Sequence, residues 1–195
     1  MWEIATGLYR SRLGDNFGMI NAIAFLLDES LVASASFDDT IVVWEVVMTG
    51  LLRRVIKSRD RGTEGVVTVA FSPDGWLVAP GAINGGMQVW EVATGLCSNV
   101  IEGHITSLAF SPDEQLITLI SKGCSLKVWE VAMGLCHIVI DKNDNQINTV
   151  TFSPDGSLIA LGASEGTVCL REVTGRHVLG DYEAILAESS GLPSH

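Results

Sequence analysis

The chain has 195 residues, of which 47% are apolar, and its 23 acidic and 12 basic side chains give a net charge of −11. This length suits one ordinary globular domain, and no apolar run approaches the roughly 20 residues that span a bilayer. The excess of acid removes the electrostatic basis for binding phosphate backbones or anionic lipid, so the composition predicts neither a nucleic-acid nor a membrane partner.

One interval is repeated four times along the chain. In each copy a Phe is followed 19 residues later by a Trp, which is replaced by Arg in the last copy. The pairs are Phe25 and Trp44, Phe71 and Trp90, Phe110 and Trp129, and Phe152 and Arg171. Repeats with a period of about 40 residues are typical of stacked arrays and propellers, so we expect copies of one structural module.

The predicted elements begin inside a module. Residues 1–18 contain Trp2 at the end of a third strand and an outer strand at 8–13. The first complete module is predicted at 19–57, with short apolar strands at 21–25, 31–36, 40–46 and 51–56.

The second module, at 66–101, shows how the residues specify the fold. The segment 66–71 is rich in β-branched residues and has no polar face, as expected for a strand buried on both sides. Ser72, Pro73 and Gly75 then occupy positions that these residues prefer in a type I turn. A returning strand at 76–82, a tight turn at Asn84, and strands at 87–92 and 96–101 complete the module.

The third and fourth modules, at 105–140 and 147–179, repeat this order, and residues 180–195 are predicted to be a tail. Four antiparallel strands make a small twisted sheet whose two apolar faces must be covered by neighbours. The pattern therefore predicts an all-β chain of stacked four-stranded sheets.

Two repeated motifs resemble those of the WD40 family. Phe-Ser-Pro-Asp occurs at 71–74, 110–113 and 152–155, and Val-Trp-Glu-Val occurs at 43–46, 89–92 and 128–131. The resemblance implies a β-propeller segment of four four-stranded antiparallel blades plus a partial N-terminal blade. It also implies that the repeated Phe and Trp positions, with Trp2 and Arg171, are structural. The wording Trp-Glu-Val-Ala-Thr-Gly at 90–95 further resembles the WD40 arrays of fungal NACHT receptors of the STAND class.

The chain departs from the family pattern in its polar residues. Glu follows each Trp of the repeated motif, where the family usually has Asp. The family's turn Asp is kept as Asp38 but replaced in the later copies by Asn84, Gly123 and Glu165. No copy contains the family's whole network of His, hydroxyl, Trp and Asp. Since partly satisfied polar networks contribute less than complete ones, we expect soft blades.

The number of modules predicts how the propeller is completed. A family ring most often has seven blades, which would need roughly 300 residues. We expect an incomplete or open ring, either a piece of a longer protein or a chain whose start is missing. The alternative is a closed ring of four blades in which the segment 8–13 completes the fourth blade. An open ring exposes apolar blade faces, which predicts self-association.

The sequence contains no recognisable pattern for catalysis or for metal or cofactor binding. The four His lie in different modules or in the tail, and the four Cys show no metal-binding spacing. The repeated turn Asp residues are explained by the preference of Asp for tight turns. We therefore predict no enzyme activity, no metal and no cofactor. The alternative is a propeller enzyme with a site in its central channel.

Binding through loops is the favoured function. In a propeller, the connectors between modules and the turns between second and third strands meet at one rim, and these segments vary most in this sequence. The resemblance implies a non-catalytic protein interaction scaffold that binds a protein or peptide, or the sensing end of a larger STAND-type receptor. No secretory signal is recognisable, so we expect an intracellular, cytoplasmic location. The candidate partner-binding residues are Phe37, Asp38, Arg59, Arg61, Asn84, Lys122, Asp144 and Glu165.

Overall fold

The computed structural model describes residues 18–46, 52–57, 65–121, 125–141, 147–174 and 177–182. These residues form sixteen β-strands in four separate antiparallel sheets, which we call blades 1 to 4. Each blade is a meander in which strands adjacent in sequence are hydrogen-bonded neighbours. The described residues contain no helix long and apolar enough to cross a membrane.

All four blades have the same strand order. Blade 1 consists of β1 (Ile20–Phe25), β2 (Leu31–Ser36), β3 (Thr40–Glu45) and β4 (Leu52–Lys57). Blade 2 consists of β5 (Val66–Phe71), β6 (Leu77–Ala82), β7 (Gly86–Glu91) and β8 (Cys97–Ile101). Blade 3 consists of β9 (Ile105–Phe110), β10 (Leu116–Ser121), β11 (Ser125–Glu130) and β12 (Leu135–Asp141). Blade 4 consists of β13 (Ile147–Phe152), β14 (Leu158–Ala163), β15 (Val168–Thr174) and β16 (His177–Tyr182).

The turn after the first strand of blade 2 is fixed by both backbone and side-chain hydrogen bonds. The Gly75 N–H donates to the Ser72 carbonyl (2.9 Å), and the Leu77 N–H donates to the Ser72 hydroxyl oxygen (2.9 Å). Gly75 has a φ of +75°, a conformation that glycine adopts without a steric cost. In blade 3 the equivalent hydroxyl, that of Ser111, accepts a hydrogen bond from the Leu116 N–H (2.9 Å). These turns direct each second strand back along the first.

Consecutive blades stack on one another, with β1, β5, β9 and β13 in contact in that order. We call the side of a blade that faces the preceding blade its front, and the opposite side its back. Ala33 and Val43 on the back of blade 1 share a core with Phe71 and Val78 on the front of blade 2. The same arrangement joins blade 2 to blade 3 and blade 3 to blade 4.

The predicted fold class is confirmed, since the chain is all-β and forms four four-stranded antiparallel blades. Blades 1 and 4 share no extensive contact in the part of the chain that the structure describes, consistent with an open or partial ring. Blade 4 has an outer strand of its own, β16, and its pairing with β15 extends to Leu170 and Tyr182. This strand therefore continues beyond residue 179, where the tail was predicted to begin. Residues 1–17, with Trp2 and the segment 8–13, lie outside the described residues.

The repeated Phe positions do not all lie in the same environment. Phe71 and Phe110 are buried against the backs of the preceding blades, and Phe152 is half-buried. Phe25 has the same register but remains 58% exposed, because it lies on the front of blade 1, where no described blade precedes it.

Candidate interaction surfaces

Four of the predicted partner-binding residues lie at one rim of the array, which we call the connector rim. It is formed by the turns between second and third strands and by the connectors between blades. Phe37 and Asp38 belong to the turn between β2 and β3, Asn84 to the turn between β6 and β7, and Glu165 to the turn between β14 and β15. The other four candidates lie outside the described residues: Arg59, Arg61, Lys122 and Asp144.

Phe37 presents an aromatic ring at this rim. The residue is 51% exposed, and its backbone N–H donates to the Met19 carbonyl (2.8 Å). The ring lies against the connector before β5, since a Cβ added to Gly65 would lie 2.9 Å from Phe37 Cδ2. Gly65 has a φ of +83°, so both the lack of space and the backbone conformation favour glycine there. The backbone of Phe37 is therefore held in place, while about half of the residue remains accessible to a partner.

Asp38 organises the turn that carries Phe37. Its carboxylate accepts hydrogen bonds from the Thr40 N–H (3.1 Å) and the Thr40 hydroxyl (2.6 Å). Partial burial acts to raise the pKa of Asp38, but hydrogen bonds from Thr40 and Ser36 outweigh it and lower the pKa overall. The first role of Asp38 is thus structural, and its charge stays at the rim at neutral pH.

Asn84 lines a groove between blades 2 and 3. The groove has a volume of about 400 Å³. Inside its wall, the Nδ1 atom of His104 is buried and has no hydrogen-bond partner in the described part of the chain. Exposed Asn84 and Glu102 lie on opposite sides, on the turn of blade 2 and on the connector before β9. Polar groups of this groove are therefore open to a partner, and blades 2 and 3 together hold the backbone that carries them.

The opposite rim is strongly acidic, and we call it the acidic rim. It is formed by the turns between first and second strands and between third and fourth strands, with the adjoining strand ends. The described turns of this rim contain no Lys or Arg, and Arg53 and Arg54 lie in the adjoining end of β4. Its carboxylates are Asp28, Glu29, Glu45, Asp74, Glu91, Asp113, Glu114, Glu130, Asp155 and Glu172.

Trp76 is the most prominent residue of the acidic rim, and the sequence pattern did not reveal it. The residue was predicted to open the second strand of its module, but β6 begins at Leu77 and Trp76 is 76% exposed in the turn. Asp74 precedes it, and this carboxylate shares a hydrogen bond with Glu114 of blade 3. Burial and the hydrogen bond to Asp74 raise the pKa of Glu114. The sequence did contain a signal, since the positions equivalent to Trp76 in the other repeats are the polar residues Ser30, Gln115 and Ser157.

The family profile described as "WD domain, G-beta repeat" matches residues 9–45, 95–130 and 134–171, together more than half of the chain. The chain belongs to the WD-repeat family. The predicted resemblance to WD40 proteins is therefore confirmed, and the family is generally composed of non-catalytic scaffolds that bind proteins.

The chain is similar to several longer WD-repeat proteins and to one designed protein of known structure. A homologue of Periodic tryptophan protein 2 from Schizosaccharomyces pombe is 29% identical over 53% of this chain and 12% of its own length. A homologue of the same name from Neurospora crassa is 22% identical over 93% of this chain and 18% of its own length. Pre-mRNA-splicing factor cwf17 from Schizosaccharomyces pombe is 25% identical over 53% of this chain and 29% of its own length. The computationally designed protein Ika4 matches with a TM-score of 0.71 and 26% identity, over 87% of this chain and all of Ika4. The chain thus spans less than a third of these natural relatives.

The WD40 blades differ in whether the indole N–H of the third-strand Trp has a hydrogen-bond acceptor. In blade 1 the Trp44 indole N–H donates to the Ser34 hydroxyl oxygen (3.0 Å) inside the sheet. The position equivalent to Ser34, two residues after the residue that pairs with the Trp, is Pro80 in blade 2 and Leu119 in blade 3. The indole nitrogens of Trp90 and Trp129 are accordingly buried with no hydrogen-bond partner among the described residues. Blade 1 therefore has the most complete polar interior of these three blades.

Proposed function

We propose that this chain is a non-catalytic WD40 scaffold that binds a protein or peptide at its connector rim. The observation that carries the proposal is the Phe37 turn, where a half-exposed ring stands on a backbone held by Met19 and closely packed against Gly65. Aromatic side chains on rigid loops are frequent anchors of protein interfaces, because little conformational entropy is lost when a partner covers them.

The inner strands favour a scaffold over an enzyme. The first strands of the four blades, β1, β5, β9 and β13, contain no His, Cys, Asp, Glu or Lys. A channel enzyme, the alternative class, needs such side chains converging on its substrate for acid–base or nucleophilic chemistry. Metal analysis and a hydrolase panel on the purified chain test this point. Stoichiometric metal with turnover would reject the scaffold.

Two settings for the scaffold follow from its similarities. The wording at 90–95 supports a place at the sensing end of a STAND-type receptor. The name of the splicing-factor relative supports a place in an RNA-processing assembly. In either setting the net charge of −11 favours a protein over a nucleic acid as the direct partner. The intracellular, cytoplasmic location stays a prediction.

Peptide selection tests the connector rim directly. A random peptide library displayed on phage is selected against the purified chain, and the Kd of the strongest peptide is measured. We expect Phe37→Ala to weaken binding about tenfold or more. The matched control is Leu27→Ala, which removes an exposed apolar side chain from the opposite rim and leaves the affinity unchanged. The proposal would be contradicted if no peptide is selected, or if Phe37→Ala does not change the Kd of the selected peptide.

The front of blade 1 supports a second contact, with another copy of this chain. Ile23 and Phe25 are both exposed there, while their equivalents in blade 2, Val69 and Phe71, are buried against a preceding blade. We expect the chain to associate with itself in a concentration-dependent way, and Phe25→Asp to shift it toward monomer. Light scattering after size exclusion measures the mass. A monomer at all concentrations, or an oligomer that Phe25→Asp does not disturb, would contradict this contact.

A further inference from the structure

The acidic rim carries an apolar groove beside Trp76, about 510 Å³ in volume. Its apolar lining consists of Gly75, Trp76, Leu77, Val92 and Ala93, and Asp74 and Glu91 line it as well. The groove lies at the opposite end of blade 2 from Asn84, so it is separate from the connector rim.

The exposed Trp76 side chain stands on a fixed backbone. The Trp76 N–H donates to the Asp74 carboxylate (3.0 Å), and the Trp76 carbonyl accepts the Val92 N–H (2.8 Å). Gly75, directly before it, packs so closely on Leu26 of blade 1 that a Cβ there would lie 2.5 Å from Leu26 Cδ2. A partner that covers the indole therefore meets a ring whose attachment is already ordered, which lowers the entropic cost of binding.

The two carboxylates beside the groove are also held in place. Asp74 accepts the Ser72 hydroxyl and the Trp76 N–H, and Glu91 accepts the Thr94 hydroxyl (2.7 Å). An indole that lines one groove with two oriented carboxylates fits a cationic side chain well, because Arg and Lys form salt bridges with carboxylates and also stack on the face of Trp.

Charge complementarity identifies the kind of partner. The described turns around the groove contain carboxylates and no Lys or Arg, so this part of the rim repels acidic partners and nucleic acid and attracts basic ones. The rim also exposes the apolar side chains of Leu27 on blade 1 and Leu96 on blade 2. A wholly polar polycation would leave this apolar surface uncovered.

We propose that the Trp76 groove binds a basic peptide segment in which Arg or Lys residues flank an apolar residue. The apolar side chain packs on Trp76, Val92 and Ala93, and the flanking cations pair with Asp74 and Glu91. This surface is independent of the connector rim, so either can be right while the other is wrong.

Three labelled peptides test the inference on the intact chain. The first has the sequence Gly-Arg-Leu-Arg-Gly-Ser, the second replaces both Arg by Glu, and the third replaces Leu by Gly. Fluorescence anisotropy is measured at low and high salt. We expect the first peptide to bind about tenfold or more tightly than the other two, and its affinity to fall as salt screens the carboxylates. No binding by the first peptide, or equal binding by the second, overturns the proposal.

Variants locate the binding on the surface. Trp76→Ala is expected to weaken the first peptide about tenfold or more, and Asp74→Asn with Glu91→Gln to flatten the salt dependence. Val168→Ala, which removes an exposed apolar side chain from blade 4, is the matched control and leaves the affinity unchanged. Since Trp76 is largely exposed, its replacement leaves the fold intact, and circular dichroism checks this. A second variant, Trp76→Phe, keeps an aromatic ring and is expected to retain most of the affinity. Binding that survives Trp76→Ala in the folded chain overturns the assignment.

Discussion

The fronts of blades 1 and 2 carry Phe and Trp in the same register, and in both the Trp is buried, but their first strands have opposite environments. Phe25 pairs with Val32, which pairs with Trp44, just as Phe71 pairs with Val78 and Val78 with Trp90. Phe71 is 8% exposed, against 58% for Phe25. The difference lies in the preceding blade, which covers Phe71 and has no described counterpart over Phe25. Burial in such an array is therefore a property of the stack, and a single module does not determine it.

The buried hydrogen bonds inside the sheets differ in the opposite direction, since blade 1 has the bond that blades 2 and 3 lack. Blade 1 joins Trp44 to Ser34 by a buried hydrogen bond, whereas Trp90 and Trp129 of the next blades have buried indole nitrogens with no described partner. Blades 2 and 3 are held mainly by apolar stacking on both sides. Blade 1, whose first strand is exposed on its front, has this additional hydrogen bond within its own sheet. Four predictions test this comparison, from the largest expected effect to the smallest.

The first prediction compares equivalent Phe residues. Phe110→Ala creates a cavity between blades 2 and 3 and is expected to lower the free energy of unfolding by about 3–5 kcal/mol. Phe25→Ala removes a largely exposed ring and is expected to cost about 1 kcal/mol or less. Urea unfolding followed by circular dichroism measures both, with Phe71→Ala as the control that behaves like Phe110→Ala. Equal costs for Phe25 and Phe110 would show that the front of blade 1 is covered in solution.

The second prediction compares two glycines at equivalent positions of second strands. A Cβ at Gly81 would lie 2.7 Å from Ile105 Cγ2 and 3.1 Å from Leu108 Cδ2, so Gly81→Ala forces blade 3 away from blade 2. A Cβ at Gly162 would meet only Thr149, an exposed residue of its own blade (2.8 Å). We expect Gly81→Ala to cost about 1–3 kcal/mol and Gly162→Ala clearly less. Thermal unfolding of the two variants gives the order, and a larger loss at Gly162 would place an unseen neighbour behind blade 4.

The repeat itself could be predicted from the sequence, because a constant interval between Phe and Trp needs only local pairing to be maintained. The four blades and most strand bounds follow from it. The exposure of Phe25 could not be predicted, since its motif is the one that surrounds Phe71 and only the neighbouring blade distinguishes them. Trp76 was missed for a different reason: an aromatic residue beside a strand is usually packed, although the turn bond from the Trp76 N–H to Asp74 is local. Asp38 was correctly placed in a turn, but its bonds to Thr40 became visible only in the structure.

The third prediction concerns the hydrogen bond inside blade 1. Ser34→Ala leaves the Trp44 indole N–H buried without its acceptor and is expected to cost about 1–3 kcal/mol. In the double variant with Trp44→Phe the donor is gone as well, so the two costs should not add. Urea unfolding of the two single variants and the double variant measures the coupling. Additive costs would mean that the bond does not stabilise the blade, and that blade 1 depends on stacking as blades 2 and 3 do.

The last prediction concerns a feature that should be insensitive to stacking, the carboxylate of the turn after each first strand. Hydrogen bonds from Ser153 and Ser157 lower the pKa of Asp155 in blade 4 to about 2, and bonds from Ser30 lower the pKa of Asp28 in blade 1. Because these pKa values are lower in the folded chain than the ordinary 3.8, the stabilisation is complete above about pH 4. It is lost as the pH falls through the folded pKa. Carboxyl NMR titration is expected to show both depressed values, and Asp155→Asn to remove its share of the acid sensitivity. A normal pKa at Asp28 beside a lowered one at Asp155 would show that an open blade loosens its turns, and that the contrast between covered and uncovered blades reaches beyond the apolar faces.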